Sequence, residues 1–81
     1  MITVYLIRSI VDPSRRYIGH TAHLQKRLFE HEMGLCRSTR AHRPWELVAA
    51  ILLRSRDFAV AFEKYLKSGS GRAFANRRLW L

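Results

Sequence analysis

Acidic side chains are scarce: six Asp and Glu stand against fifteen Lys and Arg in 81 residues, a formal charge of +9. Cysteine is nearly missing. Cys36 alone excludes an internal disulfide and points to a reducing, cytoplasmic setting. No uninterrupted apolar run is longer than the seven residues from Leu47 to Leu53, far below the length needed to span a bilayer. The first residues, Met1 to Tyr5, lack the basic start and small-residue cleavage site of a secretory signal. Two prolines and four glycines leave no room for a low-complexity linker. At this length one hydrophobic core is expected over residues 1–81, with no second domain. Disorder is excluded by the 48% hydrophobic content and the nine aromatics.

What the chain does have is arginine. Twelve of its fifteen bases carry the planar guanidinium fork that matches phosphate with two parallel hydrogen bonds. The charge is not a tail: residues 1–40 hold seven bases and three acids, and residues 41–81 hold eight and three. A folded domain this cationic repels itself, and a polyanion relieves that cost, so nucleic acid is the expected partner. A membrane-surface role needs a basic amphipathic helix, and no segment has that pattern.

Thr3 to Ile10 is rich in β-branched and apolar residues and reads as a buried strand. Asp12-Pro13-Ser14 is a turn, and Arg16-Tyr17-Ile18-Gly19 is a second short strand that closes a hairpin. Thr21 is placed to cap a helix that ends at Gly34. Leu35 to Pro44 is a basic loop, and Trp45 to Leu53 is a third strand apolar enough for burial on both faces. Asp57 would cap a second helix running to Ser68, which Gly69-Ser70-Gly71 should break before a short terminal helix. The order β-β-α-β-α-α predicts an α+β fold built on a small three-stranded antiparallel sheet flanked by helices.

Leu24 and Leu28 define the inward face of the first helix, and Arg27 and His31 fall beside it, one turn apart. From there both can reach into a cleft, although an Arg stem along the core rim and a satisfied boundary His would look the same. On the second helix Phe58, Ala61, Phe62, Tyr65 and Leu66 form the apolar stripe, with Glu63 on its flank. A surface pair with Lys67 at i,i+4 would account for Glu63. With Asp57 assigned to a cap and Asp12 to a turn, Glu63 is also the best-placed carboxylate for a divalent metal.

Val4-Tyr5-Leu6 followed by Tyr17-Ile18-Gly19 resembles the paired signature of the GIY-YIG nucleases. Thr21, Leu24, Arg27 and His31 reproduce the family's T-x2-L-x2-R-x3-H helix, Arg43-Pro44 precedes the third strand, and Glu63 stands where the family places its metal ligand. The first triplet has no glycine, and His20 stands where repair-type members often carry lysine. The resemblance covers residues 3 to 78. It implies a divalent-metal-dependent endonuclease acting on DNA, with Mg²⁺ or Mn²⁺ on Glu63.

By position, Tyr5 and Tyr17 would be the signature tyrosines, Arg27 the phosphate-binding arginine and His31 a histidine beside the phosphate. Asn76 is a looser match to an asparagine beyond the glutamate helix. The attacking water needs a base, for which Tyr5, His20 and His31 are the candidates. Tyr5 ordinarily titrates near 10, so Arg27, the metal and the overall charge would have to lower it.

His20, Arg37, Arg40, Arg43, Arg72, Asn76 and Arg77, with Arg78, are the expected contacts to the nucleic acid. Backbone contacts of this kind position a duplex without reading its sequence, so low specificity and strong salt sensitivity are expected. Specificity would come from the domain itself, a homodimer or a partner protein, and the DNA substrate extends to branched or repair intermediates. The competing reading is a non-catalytic nucleic-acid-binding module with the same fold. Against it stand Arg27 and Glu63 together, since phosphate binding alone has no use for a carboxylate in a cationic cleft. A zinc site using Cys36 and nearby histidines matches no common ligand spacing.

Overall fold

In the computed structural model, which describes residues 1–81, the central strand is the first. β1 (Ile2–Ser9) lies between β2 (Arg16–Thr21) and β3 (Trp45–Leu53) and is antiparallel to both. Strand alternation sends Ile2, Val4 and Leu6 to one face and Tyr5, Ile7 and Ser9 to the other, and all six are buried. The Asp12 turn forms as expected: its Oδ1 accepts from the Ser14 amide at 3.2 Å and the Ser14 hydroxyl at 2.6 Å.

The third strand departs from expectation. β3 is an edge strand, with Leu47 45% and Leu52 62% exposed, so its apolar run is not buried on both faces. Continuous hydrophobicity over a short segment does not say whether a partner strand lies on each side. The register slips between Leu6 and Ile7, which face Ala49 and Leu47, leaving Val48 as the extra residue of a bulge.

Three helices complete the β-β-α-β-α-α order: α1 (Leu24–Glu32), α2 (Arg56–Leu66) and α3 (Gly69–Arg78). Each starts differently from its sequence signal. Thr21 ends β2 instead of capping α1, and its Oγ1 accepts from the His23 amide at 3.0 Å in the connecting turn. Ser55 caps α2 by accepting from the Phe58 amide at 3.2 Å, and Asp57 sits in the first turn, where its charge favours the helix dipole.

Gly69-Ser70-Gly71 does not break the helix but forms the first turn of α3, capped by Ser68 Oγ on the Gly71 amide at 3.3 Å. Gly71 is glycine because a β-carbon there would overlap the Tyr65 carbonyl where α3 leaves α2. Gly34 closes α1 with φ +77°, as its composition predicted.

The main core joins Ile2, Val4 and Leu6 of β1 to Ala59 and Leu66 of α2, Ala75 of α3 and Trp80. Each large side chain buried this way stabilises the fold by about 1.5–3 kcal/mol. The inward stripe of α2 is Ala59, Phe62 and Leu66, rotated from the expected one: Phe58 is 60% exposed, and Ala61 and Tyr65 are exposed as well. Glu63, four residues after Ala59, therefore turns toward the sheet instead of lying on the outer flank. On the opposite sheet face α1 and the 35–44 loop cover Tyr5, Ile7 and Ser9, with Ser9 Oγ donating to His42 O at 2.7 Å. No helix is long and apolar enough to cross a membrane.

Candidate active site

Tyr5 leaves the middle of β1 directly over Gly19 of β2, its register partner. A β-carbon on Gly19 would come within 2.7 Å of the Tyr5 hydroxyl and 2.9 Å of the Tyr17 ring, so the glycine is the floor on which both phenols lie. The Tyr5 hydroxyl reaches His31 Nε2 at 2.8 Å, and His31 Nδ1 lies 2.7 Å from Thr39 Oγ1. The Tyr17 ring meets the His31 ring edge-on at 5.1 Å between centroids. Tyr5 and His31 are fully buried, and Thr39 is with them.

The electrostatics fix the protons. Burial pushes the Tyr5 phenol up to about 12, and the Arg27 guanidinium only partly offsets that. The expectation that the cationic setting would lower Tyr5 is therefore corrected: desolvation of the phenolate wins in the free protein. Burial also lowers the His31 pKa, helped by the positive charge of Arg27 and opposed by Glu30. A protonated Tyr5 then donates to the bare Nε2 of a neutral His31, whose Nδ1–H donates to Thr39. This tautomer is assigned from the partners. The Thr39 hydroxyl in turn points toward Cys36 O at 3.5 Å.

Arg27 flanks this chain. Its Nη1 donates to Glu30 Oε1 at 3.0 Å, and Nη2 lies 3.6 Å from Cys36 Sγ. Burial works against its charge, but Glu30 and the hydroxyls of Tyr5 and Tyr17 outweigh that and hold the guanidinium firmly protonated.

A second cluster lies on the other face of β2. Alternation turns Ile18 and His20 away from Tyr17 and Gly19. His20 Nδ1 meets Glu63 Oε1 at 2.6 Å, and Lys67 Nζ donates to Glu63 Oε2 at 2.7 Å. Burial alone would raise the Glu63 pKa, but Lys67 and His20 bring it below the ordinary carboxylate value. The surface pair with Lys67 thus forms, and a histidine from the sheet completes it. Glu63 is an ionised carboxylate with a cationic or polar partner on each oxygen. Both oxygens are taken, so a hard divalent ion, which binds one carboxylate and keeps most of its waters, would have to displace His20 or Lys67 to reach Glu63.

The structure brings Tyr5, Tyr17, Arg27 and His31 together, and separately joins Glu63 to His20; the two groups lie on opposite faces of β2, an outer strand of the sheet. Arg43 is less free than expected: its Nε donates to Arg40 O at 3.0 Å and its Nη1 to Glu32 O at 3.3 Å, which ties the loop to the end of α1. Arg37, Arg40 and Arg77 are exposed. Arg72 and Asn76 line a pocket between β2, α2 and α3, where Asn76 Oδ1 accepts from Arg16 Nη1 at 2.9 Å.

Sequence reasoning missed Thr39 and Arg16. For Arg16 the signal was present, since period-two alternation puts it on the same side as Ile18 and His20. Thr39 carried no signal.

The three-stranded antiparallel sheet presents two tyrosines to an arginine and a histidine on one face of β2 and a helical glutamate to the other face, the residues on which the sequence resembles the nucleases. The chain belongs to the GIY-YIG family: the GIY-YIG catalytic domain matches residues 1–77. It is similar to the structure-specific endonuclease subunit SLX1 of Debaryomyces hansenii, with 35% identity over 71 residues. That match covers 79% of this chain and 20% of the yeast protein, so the chain spans about a fifth of its relative's length. No solved structure matches.

Proposed function

We propose that residues 1–81 form one catalytic domain that hydrolyses phosphodiester bonds in DNA with the help of a single Mg²⁺ or Mn²⁺. Glu63 would hold the ion, with His20 and Lys67 yielding its carboxylate oxygens. When bound, the ion supplies charge neutralisation at the scissile phosphate and at the departing oxygen.

The protein's own groups do the rest. A phosphate lying over the β2 edge meets Arg27 on one side and Glu63 on the other. Arg27, with N–H donors beyond those on Glu30 and Cys36, grips a non-bridging oxygen and counters the charge that grows in the transition state. Once substrate opens the site around Tyr5, which is buried in the free protein, its hydroxyl would take the proton of the attacking water as it passes its own to His31 Nε2. Tyr17 packs against the His31 ring and keeps it in line. The phosphate's negative charge favours the imidazolium and so opposes the lowering of the His31 pKa by burial and Arg27.

The observation that carries this reading is the Tyr5–His31–Thr39 chain at 2.8 and 2.7 Å, which gives the proton a path that strand packing of two tyrosines does not need. The relative's name, a structure-specific endonuclease subunit, supports selection of DNA by its structure and a partner protein that adds specificity. A homodimer is the other source of specificity. The lone Cys36 suits a cytoplasmic site of action.

The test is cleavage of duplex, branched and single-stranded DNA with Mg²⁺ or Mn²⁺, run beside Glu63→Ala. Loss of at least about 10²-fold in rate is expected, the scale of removing one transition-state contact. Intact cleavage by a folded Glu63→Ala, or no cleavage by the wild type with either ion, overturns the assignment.

A further inference from the structure

The pocket between β2, α2 and α3 has a composition that phosphate binding alone does not require. Its volume is about 380 Å³, within the range of small-molecule sites. Ile18, Leu66 and Trp80 form an apolar floor, Arg16, Lys67 and Arg72 supply three cations, and no acid lines it. Lys67 also holds Glu63, so the pocket adjoins the proposed metal ligand.

Arg16 is the informative group. Its guanidinium lies 4.7 Å from the Trp80 ring centroid and donates to Asn76 Oδ1 at 2.9 Å, yet the residue is exposed. An exposed arginine normally samples many rotamers. This one is held by the Trp80 indole against its Cζ and by the Asn76 amide on its Nη1. A fixed guanidinium plane is a stacking platform for a nucleobase, and the neighbouring cations suit the attached phosphates. A base inside a duplex shows only its edges and cannot lay its face on Arg16 without first leaving the stack.

We propose that this pocket binds one unpaired nucleotide of the DNA, its base stacked on Arg16 and its phosphates on Lys67 and Arg72. The proposal rests on the nuclease reading for the identity of the ligand as DNA. It adds that the domain itself senses an unpaired base beside the phosphate to be cut.

The test measures binding in EDTA, so that no cleavage or metal site contributes. The intact 81-residue protein is titrated by fluorescence anisotropy against a blunt hairpin duplex, the same duplex with a one-nucleotide flap, and that flap made abasic. Wild type should bind the flap about tenfold more tightly than the abasic flap, within the range of one base stacked on a side chain. Arg16→Lys keeps the charge but loses the plane. It should bring the two flaps within twofold of each other without weakening binding to the abasic one. Arg72→Gln should weaken the two flaps alike, reduce the salt dependence of their binding and leave the blunt duplex nearly unchanged.

Equal binding of the two flaps by wild type overturns the proposal. So does an undiminished preference in Arg16→Lys whose circular dichroism matches wild type. A failure of Glu63→Ala to impair cleavage would leave this binding result standing, which separates the two readings.

Discussion

Gly19→Ala puts a single methyl group where the site has no space for one. The added carbon would sit 2.7 Å from the Tyr5 hydroxyl oxygen, 2.8 Å from its Cζ and 2.9 Å from Cε1 of Tyr17. An end-of-chain contact is often relieved by swinging the side chain aside. Tyr5 has no such freedom: it is 0% exposed, its hydroxyl is held at 2.8 Å by His31, and the Tyr17 ring flanks it. Forcing extra volume into a packed site costs about 1–3 kcal/mol. Losing the Tyr5–His31 hydrogen bond adds about 1 kcal/mol.

The expected destabilisation is therefore about 2–4 kcal/mol, or a fall in Tm of at least about 10 °C for a domain of this size. Urea denaturation and thermal melts measure it. Gly69→Ala is the control, because a β-carbon at Gly69 meets nothing within 4 Å and helix propensity then favours alanine by about 0.5–1 kcal/mol. Cleavage by Gly19→Ala should fall with the broken Tyr5–His31 contact even at temperatures where the protein is folded. If Gly19→Ala melts with Gly69→Ala and cuts DNA normally, the close packing of Tyr5 over Gly19 is wrong.

Two further outcomes follow from the same geometry. The folded state holds the His31 pKa below its ordinary 6.5, so between the two values the unfolded chain binds the extra proton. Stability should accordingly fall as pH drops below about 6.5, by at most about 1.4 kcal/mol per pH unit from this group. His31→Gln should flatten that limb of a Tm-against-pH curve, and an unchanged slope would show that His31 is not the group responsible. Ser68→Ala removes the oxygen that caps Gly71 and should cost about 1 kcal/mol in urea titrations. A change below a few tenths would mean the cap does not hold the start of α3.

The sheet was readable because its signals are local: period-two burial in β1 and the Asp12 turn each depend on neighbours in sequence. The helix starts were less so. Thr21 and Ser55 both carry cap chemistry, yet only tertiary context decides which one begins a helix and which ends a strand. The α2 stripe was misplaced for a related reason. Phe58 and Tyr65 look like core residues, but the helix buries the small Ala59 instead, and this rotation turns Glu63 inward.

Gly69-Ser70-Gly71 reads as a break until Tyr65 is seen to leave no room for a side chain. Within the site, Tyr5, Tyr17, Arg27 and His31 were singled out by the resemblance to the nuclease family, and their meeting is visible in the fold. Thr39 belongs to a loop without periodicity, and the upward shift of Tyr5 depends on burial that no composition reports.

The position of β1 in the middle of the sheet also sets a cost in time. Its pairing with β2 closes a short loop, since Arg8 faces Arg16, but its other edge pairs Ile2 with Leu53 across fifty-one positions. Contacts between residues so distant in sequence lose chain entropy before they gain packing, and they slow folding. Until β3 arrives, one edge of β1 and both of its apolar faces lack part of their cover. The core that β1 builds is therefore complete only when strands far apart in sequence have met.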